Sequence, residues 1–331
     1  MRDEIAFMFS GQGSQYLNMG RELYESMPGF RRQIQALDEI PQDLLGISIV
    51  DIIYRGSSRT PDQFDNILHT HPALFMVQYS LAKCLINEGI KPKCLIGCSL
   101  GEWVALSVSR AIDPEAALQA LIKQAVLFSN KCPPGGMMAI LQRPDIVDQP
   151  DWNAVECELA AVNFASHFCV SGSNSALQKV SALMEKRGAI FDYLPVKQPF
   201  HSSLIDPLRQ AFIDIVEGIT IREPQIPIIS VMAGGPKNSY SSEDIWRVVR
   251  DPILFYKTLK DFEASCKPRT YCEMHYLDVG PSGTLANFVK YGLGQKHSHR
   301  IHSIMSPFGN DLIKYRSVFA EKTENFFYKG A

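Results

Sequence analysis

The chain carries no excess of positive charge. Its 331 residues include 33 lysines and arginines against 35 aspartates and glutamates, which gives a net charge of −2. Proteins whose main task is to bind nucleic acid usually present a basic field, so the composition argues against a nucleic-acid partner. Hydrophobic residues make up 46% and charged residues 21%, as in ordinary folded proteins. The length predicts about two domains, or one large domain that carries a smaller insertion.

Long hydrophobic runs are also missing. The apolar run at residues 5–9 follows two acidic residues, and no later run reaches the length of a membrane span. Neither a signal peptide nor a membrane anchor has this pattern. We therefore expect a cytoplasmic location and no membrane partner.

Metal-binding patterns are equally scarce. The eight cysteines include no C-x-x-C pair and lie mostly in apolar stretches, which favours buried, reduced thiols. His297, His299 and His302 lie close together in a polar stretch without a supporting cysteine or carboxylate pattern, so we interpret them as a solvated loop rather than a metal site. No metal and no organic cofactor is predicted.

The apolar pattern predicts an α/β fold. Residues 5–9 and 94–98 have the composition of buried strands, and each leads into a glycine-containing turn. A helix is predicted from Pro72 to Gly89, with proline at its start and glycine after its end. Residues 129–199 instead alternate short strands with single helices. We interpret 129–199 as a small α+β subdomain inserted into a larger domain formed by 1–128 and 200–331.

The strongest motif is the sequence GCSLG at residues 97–101, a G-x-S-x-G placed between a predicted strand and a predicted helix. Such a turn exposes the serine hydroxyl at a helix N-terminus, where the backbone N–H groups favour developing negative charge. Ser99 with Glu102 also fits a helix capping box. From the residues alone, a nucleophile and a structural cap both stay open.

A nucleophilic serine needs a base, and His201 is the best candidate because it follows a predicted strand among small polar residues. His69 and His71 are predicted to precede a helix, and His167 and His275 lie in strand-like runs. A lipase or esterase triad would also require an acid between Ser99 and the histidine. The acids available there lie in the predicted insertion: Asp145, Asp148 and Asp192.

Several short motifs occur together in one order: FSGQGSQ at 9–15, GCSLGE at 97–102, Asn163 in AVNF, FHS at 200–202 and VGP at 279–281. From residue 4 to about 290 the chain resembles the malonyl-CoA:acyl carrier protein transacylases and the acyltransferase domains of polyketide synthases. It is most similar to free-standing, trans-acting members. The resemblance implies an α/β-hydrolase-like large domain with an inserted ferredoxin-like α+β subdomain.

The resemblance also implies roles for individual residues. Ser99 would be the nucleophile and His201 the base and then the acid, with the backbone N–H groups of Gln12 and Leu100 as the oxyanion hole. The substrate-binding positions would be Cys98, Phe200, Asn163 and Gln124. The implied partners are acyl thioesters and an acyl carrier protein with its phosphopantetheine arm.

Some positions depart from the family pattern. Cys98 stands where histidine is usual and Trp103 where tyrosine or phenylalanine is usual. Gln124 stands where malonyl enzymes have an arginine that grips the substrate carboxylate. A buried carboxylate without a cation costs several kcal/mol, and Lys123 points about 100° away on the same helix. The expected acyl group is therefore uncharged.

Val248 replaces a glutamine or asparagine near the histidine. This substitution is harmless if a backbone carbonyl orients His201.

The missing arginine, together with the free-standing format, resembles the acyl hydrolase branch of these trans-acting enzymes. The resemblance therefore implies a trans-acting acyl hydrolase of polyketide biosynthesis that removes uncharged acyl groups from acyl carrier proteins through an acyl-Ser99 enzyme. The main alternative is an acyltransferase that moves acetyl, another neutral acyl group or malonyl from CoA to a carrier protein. A catalytically silent docking module and a generic esterase are further alternatives. One basic cluster is a candidate docking surface for an acidic carrier protein, although a solvated loop explains it equally well: Lys290, Lys296, His297, His299 and Arg300.

Overall fold

The computed structural model describes residues 4–55, 64–266 and 273–327. Within them lie ten strands: β1 (Glu4–Phe9), β2 (Cys94–Gly97), β3 (Gly135–Leu141), β4 (Glu158–Phe164), β5 (His167–Ser173), β6 (Ile190–Tyr193), β7 (Ile228–Ser230), β8 (Gly235–Lys237), β9 (Met274–Asp278) and β10 (Ile301–Ser303). The strands form two separate sheets.

The α-helices of the same ranges are α1 (Arg21–Ser26), α2 (Pro28–Leu45), α3 (Ile49–Tyr54), α4 (Ile67–Asn87), α5 (Leu100–Val108), α6 (Pro114–Lys131), α7 (Asn174–Lys186), α8 (Arg209–Glu217), α9 (Ser242–Arg250), α10 (Phe255–Ser265), α11 (Thr284–Leu293) and α12 (Asp311–Phe327). Four short 3₁₀ helices connect them: Pro144–Asp148, Pro150–Ala154, Ser203–Leu208 and Gln295–Arg300.

The larger sheet has the strand order β10-β9-β1-β2-β7-β8 and is parallel except for the last pair. A parallel sheet is covered on both faces, so its central strands are apolar throughout. Phe7, Met8 and Phe9 on β1 are fully buried. Both strands predicted here are present, and the carboxyl ends of β1 and β2 lie side by side because Phe9 pairs with Gly97.

The smaller sheet has the order β4-β5-β3-β6, and every neighbouring pair is antiparallel. With α7 between β5 and β6, and two 3₁₀ helices between β3 and β4, its connectivity is that of a ferredoxin-like unit. The predicted α/β class is confirmed. The unit has its own apolar core, which includes Met138, Phe168 and Val180.

The exact division at residues 129–199 stays a proposal. An isolated bridge joins Ala161 on β4 to Ile253 of the larger unit, and the Val162 N–H donates to the Ile253 carbonyl at 2.9 Å. The edge strand β4 is therefore tied to the segment of the larger unit between α9 and α10.

The predicted start of one helix is wrong. Helix α4 begins at Ile67 rather than at Pro72, since the Asn66 side chain caps it by accepting from the Leu68 N–H at 3.0 Å. Pro72 lies inside the helix, and its missing N–H removes only one bond of the ladder. His69 and His71 therefore lie within α4 instead of preceding a helix.

Candidate active site

Ser99 lies on a sharp turn between β2 and α5. Its backbone has φ 53° and ψ −121°, a combination that a residue with a side chain rarely adopts. The two flanking glycines make the turn possible. A Cβ built on Gly97 would lie 2.4 Å from the Glu102 Cα, and one built on Gly101 would lie 2.0 Å from the Phe9 carbonyl oxygen. The turn therefore requires glycine at both positions.

The capping-box alternative for Ser99 is wrong. The Ser99 side chain makes no capping hydrogen bond to α5. The Glu102 carboxyl points elsewhere, because the Tyr240 hydroxyl donates to Glu102 Oε1 at 2.7 Å. Burial raises the pKa of Glu102 to about 7. The Ser99 hydroxyl is thus available for another partner.

That partner is His201. Ser99 Oγ lies 3.0 Å from His201 Nε2, and His201 Nδ1 lies 2.8 Å from the carbonyl oxygen of Asp251. A carbonyl only accepts, so Nδ1 carries the proton and Nε2 accepts from the serine hydroxyl. Burial lowers the pKa of His201 to about 4, although the hydrogen bond to Asp251 opposes the shift. The imidazole is therefore neutral near neutral pH, and its Nε2 is unprotonated and able to accept a proton.

The group that orients His201 is a backbone carbonyl. The end of α9 supplies it, and the His201 N–H also donates to the carbonyl of Val249 at 2.9 Å. The Val248 side chain is buried and takes no part in this bond, as expected for a histidine held by main chain. Asp145, Asp148 and Asp192 are all exposed. The site thus differs from the Ser–His–carboxylate triad of lipases and esterases.

The loop after β1 passes directly against the turn at Ser99. A Cβ built on Gly11 would lie 2.8 Å from the Cys98 carbonyl oxygen and 3.1 Å from the Ser99 Cβ. Gln12 is the next residue, and Leu100 begins α5, where the first N–H groups have no acceptor within the helix. The backbone of Gln12 and the N–H of Leu100 are therefore near the serine hydroxyl.

Gln124 lies on the helix face that packs against the segment preceding His201. One turn along α6, the Phe128 ring makes an edge contact with the Phe200 ring at 5.0 Å, and residues four apart share a helix face. Gln124 is only 2% exposed, whereas Lys123 is exposed. Helical geometry thus turns Lys123 away from this side, as predicted.

Several known proteins have sequences similar to this chain. A family model described as an acyl transferase domain matches residues 6–303. The chain belongs to this family. It is 37% identical over 320 residues to the polyketide biosynthesis acyltransferase homolog PksD of Bacillus subtilis, and the match covers 96% of each chain. It is 38% identical over 304 residues to the polyketide biosynthesis protein ThaF of Burkholderia thailandensis, covering 92% of this chain and 26% of ThaF.

Solved acyltransferase structures have the same fold. A loading acyltransferase from the avermectin modular polyketide synthase matches with a TM-score of 0.85 and 22% identity over 96% of this chain and 99% of that one. A malonyl CoA-acyl carrier protein transacylase from Clostridium perfringens matches with a TM-score of 0.80 and 22% identity over 99% of this chain and 100% of that one. At this identity the likeness shows the fold alone.

Two further predicted substrate positions of the acyltransferase are buried. Cys98 precedes the serine, and burial raises the pKa of its thiol to about 12, so the thiol is not ionised near neutral pH. Asn163 on β4 contacts His167 Nδ1 at 3.0 Å and the Cys169 sulfur at 3.7 Å rather than the Ser99–His201 pair. A substrate contact for Asn163 stays a prediction. Trp103 is buried within α5.

Sequence reasoning assigned two nearby residues no part in the site. His71 was considered only as an alternative to His201, and the wrong helix start concealed its burial on α4, where its ring lies 6.0 Å from the Phe200 ring. Asp251 contributes through its main chain, which leaves no signal in the residue type. If the apolar periodicity of α4 had been followed back to Ile67, it would have placed His71 on the buried face of the helix.

The proposed basic docking surface is wrong at one of its residues. Arg300 is 5% exposed, and its guanidinium bonds to the Glu263 carboxylate at 3.2 Å and to His297 Nδ1 at 2.8 Å. His299 Nε2 lies 2.9 Å from Glu273. The Arg300 guanidinium is thus committed to Glu263 inside the fold, whereas the His299 contact lies at the surface.

Other predictions concern thiols, metals and membranes. Of the cysteines that the structure describes, Cys84, Cys94, Cys98 and Cys169 are buried, and Cys272 lies outside the described residues. Across 4–55, 64–266 and 273–327, no group of three or more His, Cys, Asp or Glu side chains could hold a metal ion. None of the helices in these ranges is long and apolar enough to cross a bilayer.

Proposed function

We propose that this chain is a trans-acting acyl hydrolase of polyketide biosynthesis, which removes uncharged acyl groups from the phosphopantetheine arm of acyl carrier proteins. The observation that carries the proposal is the Ser99 Oγ to His201 Nε2 contact of 3.0 Å on a strained turn. The neutral side chain of Gln124 on the adjoining helix face supports the choice of acyl group.

The first half of the reaction forms an acyl-enzyme. Ser99 Oγ attacks the thioester carbonyl while its proton moves to His201 Nε2. The negative charge that develops on the carbonyl oxygen is held by the N–H groups of Gln12 and Leu100. The carbon–sulfur bond then breaks, and His201 returns the proton to the departing thiol.

The second half of the reaction hydrolyses the ester bond of acyl-Ser99. His201 Nε2 takes a proton from a water molecule, which attacks the ester carbonyl of acyl-Ser99. Collapse of the tetrahedral intermediate releases a carboxylic acid, and the proton on His201 returns to Ser99 Oγ. In both halves of the reaction, the hydrogen bond to the Asp251 carbonyl keeps a proton on His201 Nδ1. Nε2 is therefore the nitrogen that accepts and returns the proton.

Gln124 supports the choice of an uncharged acyl group. Its amide is buried and neutral, so a malonyl carboxylate on this side would lose its hydration without gaining a cation. Lys123 is exposed on the adjacent face of α6. Acetyl and butyryl groups require no such compensation.

The experiment that tests the proposal is an intact-mass time course. The protein is mixed with carrier protein loaded with acetyl, butyryl or malonyl, and both the carrier mass and any adduct on Ser99 are followed. Loss of the neutral acyl groups to water, with malonyl retained, supports the hydrolase. Ser99→Ala abolishes this loss, whereas Ser175→Ala at an exposed serine does not.

A transferase is the second candidate, favoured by the names of similar proteins, which are called acyltransferase homologs. A transferase would accumulate acyl-Ser99 and pass the acyl group to unloaded carrier protein instead of water. A malonyl adduct on the wild-type serine would contradict the reasoning from Gln124. Turnover that survives Ser99→Ala would contradict both candidates.

A further inference from the structure

The buried polar atoms that have no hydrogen-bond partner among the residues that the structure describes include three on elements around the Ser99–His201 pair: Gln12 Nε2, His71 Nδ1 and Gln124 Oε1. They come from three separate elements, the loop after β1, helix α4 and helix α6. His71 and Gln124 are each only 2% exposed. Buried polar groups are almost always paired in folded proteins, so three orphans in one region point to a ligand with polar atoms of its own.

One hydrogen bond and one close backbone approach place Gln12 between helix α4 and Ser99. Gln12 follows Gly11, whose backbone lies against Ser99. The Thr70 hydroxyl donates to Gln12 Oε1 at 3.0 Å, which leaves the Gln12 amide nitrogen as the orphaned end. His71 follows Thr70 on α4. Gln12 is therefore bonded to α4 at the residue before His71, and its backbone follows the glycine that lies against the turn at Ser99.

Ring contacts connect the third atom to the same place. The Phe200 ring lies 6.0 Å from the His71 ring and 5.0 Å from the Phe128 ring. Gln124 lies one turn before Phe128 on the same face of α6. Phe200 directly precedes His201, so His71 on α4 and the Gln124 face of α6 both lie close to the segment that carries the base.

The chemistry of the three groups is neutral and polar. Burial lowers the pKa of His71 to about 3, so its imidazole is uncharged, and the two amides carry no charge. Gln12 Nε2 is a donor and Gln124 Oε1 is an acceptor. An alkyl chain satisfies neither, and a ketone satisfies only the donor. A hydroxyl both donates and accepts, so it satisfies both.

We propose that the acyl site selects a short hydroxyacyl group, whose hydroxyl donates to Gln124 Oε1 and accepts from Gln12 Nε2. The inference rests on the proposed function and names the substrate class of that same site. Turnover of plain acyl groups continues, because the thioester contacts at Ser99 are common to both. The hydroxyl adds selectivity to that shared chemistry.

The test compares four thioesters of one carrier protein: butyryl, 2-hydroxybutyryl, 3-hydroxybutyryl and 3-oxobutyryl. With the wild-type protein, kcat/KM for at least one hydroxy compound is expected to exceed that for the butyryl and 3-oxobutyryl compounds by about tenfold or more. If neither hydroxy compound exceeds butyryl, the inference is wrong and solvent pairs the three atoms. If no thioester is hydrolysed, the proposed function itself fails.

A matched pair of variants locates the selectivity. Gln124→Met keeps the length of the side chain and removes the carbonyl, and it is expected to reduce the hydroxyacyl-to-butyryl ratio of kcat/KM to near one. Gln119→Met changes an exposed glutamine of the same helix and should keep the wild-type ratio. A Gln124→Met protein that retains the full ratio would overturn the assignment. Because a ratio is measured, a partial loss of folded protein does not affect the result.

Discussion

Ser99 and His201 share an unusual property besides the 3.0 Å contact between their side chains: both have backbone φ in the left-handed region, 53° for Ser99 and 59° for His201. A non-glycine residue held there costs roughly 1–3 kcal/mol, and such residues cluster at functional sites. The two side chains meet because each stands on a backbone that the surrounding structure holds in a strained form. The following predictions test this arrangement.

The first prediction concerns the group that orients His201. Since the main-chain carbonyl of Asp251 accepts the hydrogen bond from His201 Nδ1–H, the Asp251 carboxylate is free to accept a hydrogen bond from Arg247 at 2.7 Å. Asp251→Asn should therefore change kcat/KM on a butyryl thioester by less than about threefold, whereas loss of a triad carboxylate costs about 10⁴-fold. A loss of that size would assign the orienting role to the carboxylate.

The second prediction concerns pH. Only the neutral imidazole of His201 accepts the serine proton, and burial lowers its pKa to about 4 from the usual 6.5. Activity is thus lost as the pH falls through about 4, and kcat/KM should be flat above about pH 6. The measurement uses a pantetheine thioester, with circular dichroism at each pH to show that the protein stays folded. An ascending limb centred at or above 6.5 would contradict the assignment of the base.

The third prediction concerns the turn. Gly101→Ala would place a Cβ 2.0 Å from the Phe9 carbonyl oxygen, a backbone atom that cannot move aside. The expected loss is at least about 3 kcal/mol of unfolding free energy, or failure to fold. Gly29→Ala is the control, because its Cβ would meet nothing closer than 3.8 Å, and it should change stability by no more than about 1 kcal/mol. Denaturant titration measures both, and equal effects would refute the steric account.

The fourth prediction concerns charge selectivity. Gln124→Arg places a guanidinium on the face of α6 beside Phe128, and it should raise the malonyl-to-butyryl ratio of kcat/KM about 10- to 100-fold. Lys123→Arg at the exposed neighbouring position should leave the ratio unchanged. An unchanged ratio in a folded Gln124→Arg protein would show that the acyl group lies away from α6.

The local sequence was sufficient to predict the turn at Ser99 and the strands beside it. The apolar run at 5–9, the strand before Gly97 and the helix after Ser99 were all predictable, because they follow from periodicity and from steric limits on glycine-flanked turns. The choice between nucleophile and cap was not predictable from the residues. It depends on where Glu102 points, and Tyr240, 138 positions away, decides that.

The start of α4 and the exposure of Arg300 in the basic cluster were predicted wrongly. Pro72 and the residues after it gave a plausible helix start, yet the Asn66 cap begins the helix five residues earlier. Arg300 was part of the predicted docking surface, but the structure buries it against Glu263 inside the fold. The first error overlooked a local signal, since Asn66 is a favoured N-cap residue directly before the helix. The second arose because the burial of Arg300 depends on Glu263, 37 positions away.

Sequence patterns thus determined the α/β class and the strand–turn–helix at Ser99, since these depend on local sterics and short-range periodicity, whereas His201 was singled out as the candidate base mainly by the family resemblance. Tertiary structure decided that His201, 102 positions from Ser99, reaches its hydroxyl, that the Asp251 main chain orients the imidazole, and that the rings of His71 and Phe128 lie against Phe200. Those relationships arise where separate elements pack against one another, and such contacts leave no periodic trace along a single chain.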